Sequence, residues 1–402
     1  MKSSLLALLG SASSALAAVR GFNYASQGQD YNGFASQFKT AASLAGANDF
    51  TSARLYTMIQ DGTTNTPISA IQAAIDTNTT LLLGLWASVD QDSFDNELTA
   101  LNSAIQQYGS SFADLVTGIS VGSEDLYRIS PTGIAAGSDA GQSPDVLVNY
   151  IGQVREAIKG TSLGSKLVGH VDTWNVYVNS SNSEVISACD FLGLDEYPYF
   201  QSTDPNTIGN SSFLFFQAYD RVSAVAGGKP IWITESGWPV SGPNTNLAVP
   251  SVENAETYWQ GVSCELQSRE INFWWYILAD AGASPSFGLS DNGQPLYNLT
   301  CNPNAKSSSS SNSTSTSSQS ASGSSGHGTA FAFPTTSAAT ATGGAPGATY
   351  GPTSAGATQA QNTAAGSATS SGSGARYTGA ASKVETSFAG LAVGAVLAAL
   401  AM

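Results

Sequence analysis

Two segments of this 402-residue chain end an apolar, β-branched run on a glutamate: Gly118-Ile-Ser-Val-Gly-Ser-Glu124 and Ile231-Trp-Ile-Thr-Glu235, the latter followed by Ser-Gly-Trp238-Pro239. A buried strand whose last residue is a carboxylate delivers that group into whatever cleft lies at the sheet's end. Two such carboxylates suit glycoside hydrolysis. One, protonated, gives its proton to the leaving oxygen, and the other, ionised, faces the oxocarbenium-like transition state. Adjacent acids push each other's proton affinities apart, so one can hold its proton while the other does not. A separation of about 5–5.5 Å gives retention of anomeric configuration, and about 6.5–9.5 Å gives inversion. Solvated surface charges, the alternative, fit poorly with two acids that end buried strands beside aromatic residues.

Further candidates stand near these two. Gly193-Leu-Asp195-Glu196-Tyr197-Pro198-Tyr199-Phe200 holds two more acids. Asp195 and Glu196 could compete for the catalytic role, bind sugar hydroxyls or simply hold a loop together, and Tyr197 is expected to hydrogen-bond the nucleophile. Asp125 follows Glu124 directly, so it is expected to face away, with Arg128 as its partner. Trp86, Trp174, Trp238, Trp274 and Trp275 all fall at or near strand ends, where flat rings can stack on pyranose faces. Trp238 and Trp275 are the substrate-contact candidates; because Trp274 and Trp275 alternate on one strand, at most one of them faces inward.

Other chemistries find little support. The chain has two histidines, His170 and His327, and no phosphate-cradling G-x-x-x-x-G-K-[ST] loop. Its three cysteines, Cys189, Cys264 and Cys301, lack zinc spacing. Neither a metal nor a cofactor is expected, since two carboxylates suffice.

The elements that must position the glutamates are legible. Gly21–Tyr24, Ser52–Tyr56, Leu81–Trp86, Val116–Gly122, Lys166–Val171, Phe191–Leu194, Pro230–Thr234 and Asn272–Tyr276 read as strands, several of them apolar enough to be covered on both faces. Between them run helical stripes: Phe94, Leu98, Leu101, Ile105 and Tyr108; then Leu147, Ile151, Val154 and Ile158 behind Pro144; then Phe215, Tyr219, Val222 and Ala226; then Ala255, Trp259, Val262 and Leu266. Eight βα repeats predict a closed (β/α)8 TIM barrel, with an open doubly wound sheet as the alternative. In a barrel the C-terminal strand ends share one face. Glu124 after the fourth strand and Glu235 after the seventh would then look into one pocket.

With these residues in view, the chain resembles glycoside hydrolase family 17, the β-1,3-glucanases, in its fungal cell-wall, GPI-anchored branch. Gly21-Phe-Asn-Tyr24 is similar to that family's first strand, Val121-Gly-Ser-Glu124 to its acid/base strand end, and Trp232-Ile-Thr-Glu235-Ser-Gly-Trp-Pro239 to its nucleophile segment. The similarity covers residues 19–303. It implies Glu124 as proton donor, Glu235 as nucleophile, retention, and β-1,3-glucan as substrate, cut internally. Much of this clan has Asn before the acid/base to contact the sugar's 2-hydroxyl; here the position is Ser123, a shorter group with fewer hydrogen bonds to offer.

The rest of the chain is of another kind. Lys2, the apolar Leu5–Leu9 and Ala15-Leu-Ala17 read as a signal peptide over residues 1–18. Residues 304–387 are Ser, Thr, Ala and Gly-rich, with no charged side chain from Ser307 to Ala375, and read as a disordered stalk. The apolar end, 388–402, follows a polar stretch and the small-residue triplets at Ser373 and Gly379, a pattern that predicts GPI attachment at one of those residues and removal of the tail. Secretion makes Asn78, Asn179, Asn210, Asn298 and Asn312 candidate glycan acceptors and predicts a Cys264–Cys301 disulfide, with Cys189 a buried free thiol. A net charge of −15 without a basic cluster excludes nucleic acid as a partner. The expected protein is a monomer held through its lipid anchor at the plasma membrane and cell wall, where it remodels glucan. Two rivals share the scaffold: a glucanosyltransferase, in which a sugar hydroxyl replaces water, and a non-catalytic glucan-binding wall protein.

Overall fold

Each apolar run pairs with its sequence neighbour as a parallel strand, and the last closes on the first. The strands are β1 (Arg20–Tyr24), β2 (Ser52–Leu55), β3 (Thr80–Leu85), β4 (Val116–Val121), β5 (Leu167–Thr173), β6 (Leu192–Asp195), β7 (Ile231–Glu235) and β8 (Phe273–Trp275), and they form a closed barrel in that order. These coordinates belong to a computed structural model that describes residues 18–280 and 282–301. The fold is the (β/α)8 barrel that the periodicity predicts. The signal-peptide segment except Ala18, the stalk with Asn312, the triplets at Ser373 and Gly379, and the apolar end all lie outside the described residues.

Helices cover the barrel with the faces their stripes predict. Gln91–Ala113 starts at Asp90, whose side chain accepts from the Ser93 N–H, and buries Phe94, Leu101 and Ile105. Pro144–Ile158 begins on proline, where the missing N–H costs no helical bond, and buries Leu147, Ile151, Val154 and Ile158. Strand ends differ from the prediction by a residue, and most at β5, which runs on past Val171 to Thr173. The apolar pattern stops at Val171, but Asp172 is fully buried and hydrogen-bonded, so a charged residue continues the strand.

The barrel's interior changes character along its axis. Near the N-terminal strand ends Leu82, Phe191, Trp232 and Trp274 form their own buried cluster. Phe191 and Trp232 stack with centroids 3.8 Å apart, and the Trp274 indole N–H donates to Ser52 Oγ at 3.0 Å. Glycine makes room for these rings: a Cβ at Gly118 would lie 2.8 Å from the Trp232 ring, and one at Gly169 2.8 Å from the Phe191 ring. Above this plug the filling is polar, with Asn23, Arg54, Asp195 and Thr234 all buried.

A disulfide joins Cys264 to Cys301 with Cα atoms 5.3 Å apart. Cys189 is a free buried thiol whose pKa burial pushes up to about 12. Of the candidate glycan acceptors, Asn78, Asn179 and Asn298 are exposed and Asn210 is half-buried, its amide donating to Pro205 O.

Filling the space kept by Gly118 should cost stability rather than chemistry. Gly118→Val is expected to lower the unfolding free energy by about 1–3 kcal/mol through overpacking against Trp232. A denaturant melt unchanged from the parent would contradict this packing.

Candidate active site

Glu235, the last residue of β7, is gripped from two sides. Its Oε1 accepts from Arg54 Nη1 and from the Tyr56 hydroxyl, both at 2.6 Å, and its Oε2 accepts from the Tyr197 hydroxyl at 2.8 Å. Both oxygens thus face donors, the arrangement of an ionised carboxylate. Burial and the charge of Glu235 raise the pKa of Tyr56 and of Tyr197 well above the ordinary phenol value, so both keep the protons they donate.

Arg54 organises the group. It stands in the middle of β2 with a side chain only 1% exposed. Nη1 also donates to Asn23 Oδ1 at 2.8 Å and Nη2 to Ser123 Oγ at 3.0 Å, while Asp195 Oδ2 lies 3.8 Å from Nη2. Its plane sits over the Tyr56 ring, 4.6 Å from the centroid. Burial opposes the guanidinium charge, but Asp195, Tyr56 and Glu235 together raise its pKa above the ordinary value. One side chain therefore bridges Glu235 to the residue immediately before Glu124.

Glu124 is carried differently. It follows Gly122 (φ 82°) and itself adopts left-handed backbone geometry at φ 59°, ψ 26°, which few non-glycine residues hold without support. Its N–H donates to Val171 O at 2.9 Å, and the helix Asp125–Ile129 starts directly after it. The residue is 5% exposed. Burial raises its pKa well above the ordinary carboxylate range; Asp195 adds to the rise, Arg128 opposes it and Glu235 adds again. The result is a carboxylic acid that holds its proton to higher pH than an ordinary glutamate, close to a second carboxylate.

The remaining candidates separate. Tyr197 reaches Glu235 and Ser123 reaches Arg54, as described. Asp195 lies enclosed beside Arg54, its Oδ1 accepting from Thr234 Oγ1 at 2.6 Å, so it supports the charged layer. Glu196 is not with the other acids: it is buried in the loop after β6, where Oε1 accepts from Gln201 Nε2 at 2.8 Å. Adjacent residues at a strand end point to opposite sides, which is why only one of the two acids faces inward. Trp238 is packed against Tyr199 and Tyr258, its indole N–H bonded to Val249 O, and Trp275 is packed against Tyr258 and Trp259 behind β8. Neither faces the carboxylates; Trp274 takes the inward position on β8 but lies in the aromatic plug. Trp86 and Trp174 are the tryptophans left partly exposed, with Arg128 over the first and Arg221 over the second. Arg128 pairs with Glu124, at 4.0 Å, rather than with Asp125, which instead accepts from Ser88 Oγ.

Arg54, Tyr56 and Asn23 escaped the sequence reading. The available signal was the alternation Ser52, Arg54, Tyr56 on a strand whose other residues are apolar: it places a charge inside the barrel, where it must be paired.

Arg128 stabilises the ionised form of Glu124, so removing its charge should make Glu124 hold its proton to higher pH. Arg128→Gln is expected to move the alkaline limb of the pH profile for glycoside cleavage upward. A limb that stays in place or moves down would contradict the assignment of that limb to Glu124.

The chain is similar to known glycoside hydrolases. Residues 21–281 match the BtgE/BtgC glycoside hydrolase domain. A protein of Aspergillus fumigatus named probable glucan endo-1,3-beta-glucosidase eglC is 51% identical over 314 residues, covering 75% of this chain and 69% of that one. A Schizosaccharomyces pombe protein named glucan 1,3-beta-glucosidase is 31% identical over 236 residues, covering 56% of this chain and 68% of its own. Among solved structures, a glycoside hydrolase family 17 beta-1,3-glucanosyltransferase from Rhizomucor miehei shares the barrel, with a TM-score of 0.56 at 24% identity over 70% of this chain and 98% of that one. Matched along nearly the whole barrel, with two glutamates at its C-terminal strand ends, the chain belongs to the BtgE/BtgC glycoside hydrolase family.

Proposed function

We propose that this enzyme hydrolyses β-1,3-glucan internally and with retention, Glu124 serving as proton donor and Glu235 as nucleophile. The observation that carries the reading is the contrast between the two carboxylates, one held by three donors and the other buried with its pKa raised. In the first step a Glu235 oxygen attacks the anomeric carbon, the glycosidic C–O bond breaks, and the Glu124 proton passes to the leaving oxygen. In the second, the Glu124 carboxylate takes a proton from water, the water oxygen attacks the anomeric carbon, and Glu235 leaves as a carboxylate. Arg54, Tyr56 and Tyr197 hold Glu235 ionised and aimed before substrate arrives, which lowers the reorganisation needed at the transition state.

The substrate class is supported by relatives about half identical to this chain that are named glucan endo-1,3-beta-glucosidases. The site of action follows the sequence signals: secretion, an N-glycosylated barrel, a GPI anchor near Ser373 or Gly379, and a stalk that presents a monomeric enzyme to glucan at the plasma membrane and in the wall.

Kinetics on defined glucans test the proposal. Glu235→Gln should reduce cleavage of linear β-1,3-glucan to background. Glu124→Gln should lower it by about 10²–10⁴-fold, with a smaller loss on an aryl glycoside whose leaving group needs no proton. Equal activity on β-1,4-glucan would contradict the substrate class, and products longer than the starting oligosaccharide would assign the chain to glucan transfer.

A further inference from the structure

Behind the acid lies a fully buried titratable pair that the chemical steps leave unused. His170 and Asp172 sit two residues apart on β5 with no exposed surface. Gly169 faces the Phe191 ring inside the barrel, so by alternation His170 and Asp172 face outward, toward the helix Asp125–Ile129. His170 Nδ1 is 2.7 Å from Val121 O, and Nε2 is 3.0 Å from Asp172 Oδ2. A carbonyl oxygen only accepts, so Nδ1 carries a proton. Asp172 Oδ2 already accepts from the Leu126 N–H at 2.9 Å, and Oδ1 from those of Tyr127 at 3.3 Å and Thr173 at 2.8 Å. With three backbone N–H groups donating to its two oxygens, Asp172 is set as an acceptor, which places Nε2 to donate as well. A ring that donates from both nitrogens is an imidazolium.

Those contacts bracket Glu124. Val121 ends the strand before it, and Leu126 and Tyr127 open the helix after it. We propose that His170, as an imidazolium, and Asp172 are positioning residues that hold the left-handed turn carrying Glu124, so that the acid is in place only while His170 keeps its second proton. The inference rests on Glu124 being the acid.

Asp172 on its own strand, Asp125 on the helix that follows Glu124, the Tyr177 ring (centroid 6.4 Å from the imidazole) and the Cys189 thiol against its backbone all face His170. Burial opposes the charge, but the hydrogen bond and charge of Asp172, with the charge of Asp125, raise the pKa above 6.5. A folded-state value raised in this way means the clamp is complete below the ordinary imidazole value of about 6.5 and is lost as pH climbs through the raised one.

Ring-nitrogen NMR tests the protonation directly, since His327 is the only other histidine and His327→Ala removes its signal. Near neutral pH both His170 nitrogens should carry protons, and Asp172→Asn should render the ring neutral. The same variant should lower kcat about 10- to 100-fold, the scale of a misplaced catalytic group, with KM within about twofold. A neutral His170 ring in the parent protein overturns the proposal, as does a folded Asp172→Asn enzyme with parental kcat. If that variant does not fold, the parent spectrum decides alone. Undiminished turnover by Glu124→Gln would instead remove Glu124 as the acid while leaving the ring's protonation state as measured.

Discussion

A guanidinium with almost no contact with water is the constraint on which the rest of this barrel turns. Arg54 can stay charged inside the fold only because Glu235 meets it directly, with Asp195 close by and with Asn23 Oδ1 and Ser123 Oγ accepting from Nη1 and Nη2. Deleting one partner of such a buried pair costs on the order of 3–5 kcal/mol, because the other is left uncompensated. The pairing fixes more than energy. It draws β1, β2, β4 and β7 onto one side chain, and it sets the nucleophile candidate beside the residue that precedes the acid candidate. Charge inside the barrel and chemistry at its rim are one arrangement.

The filling of the barrel makes that arrangement possible. Phe191 stacked on Trp232, with Trp274 tilted against it, fills the barrel near the N-terminal strand ends and keeps water from Arg54 from below, and glycines at 118 and 169 admit the rings. Polarity then rises along the axis, from the plug through Asn23 and Asp195 to the phenols and carboxylates. Low dielectric beneath and donors above give Glu124 and Glu235 different surroundings from the same residue type: Glu235 receives three donors, while Glu124 receives burial and neighbouring acids that raise its pKa.

Much of this was legible in the chain. Strands buried on both faces are continuous apolar runs, so all eight could be read, and a glutamate ending such a run announces itself. Tyr197, a short step beyond β6, was readable for the same reason. What escaped was pairing at a distance: Arg54 meets Glu235 across 181 positions, and nothing local to either names the other. Asp172 lay past the end of the apolar pattern because its burial depends on His170 and on a helix start. Trp238 and Trp275 were misread as cleft residues. Proximity to a strand end does not say which side of the barrel wall a ring occupies, and in both cases packing against Tyr258 decided it.

The central claim is that an ionised Glu235 attacks the sugar while Glu124 supplies the proton. Trapping the intermediate tests it most directly: incubation with a 2-deoxy-2-fluoro laminari-oligosaccharide bearing an activated leaving group, then mass spectrometry of the digested protein. A single glycosyl label on Glu235, absent from Glu235→Gln, is the predicted result. A label on Asp195 or Glu196, or turnover with inversion and no covalent species, would contradict it.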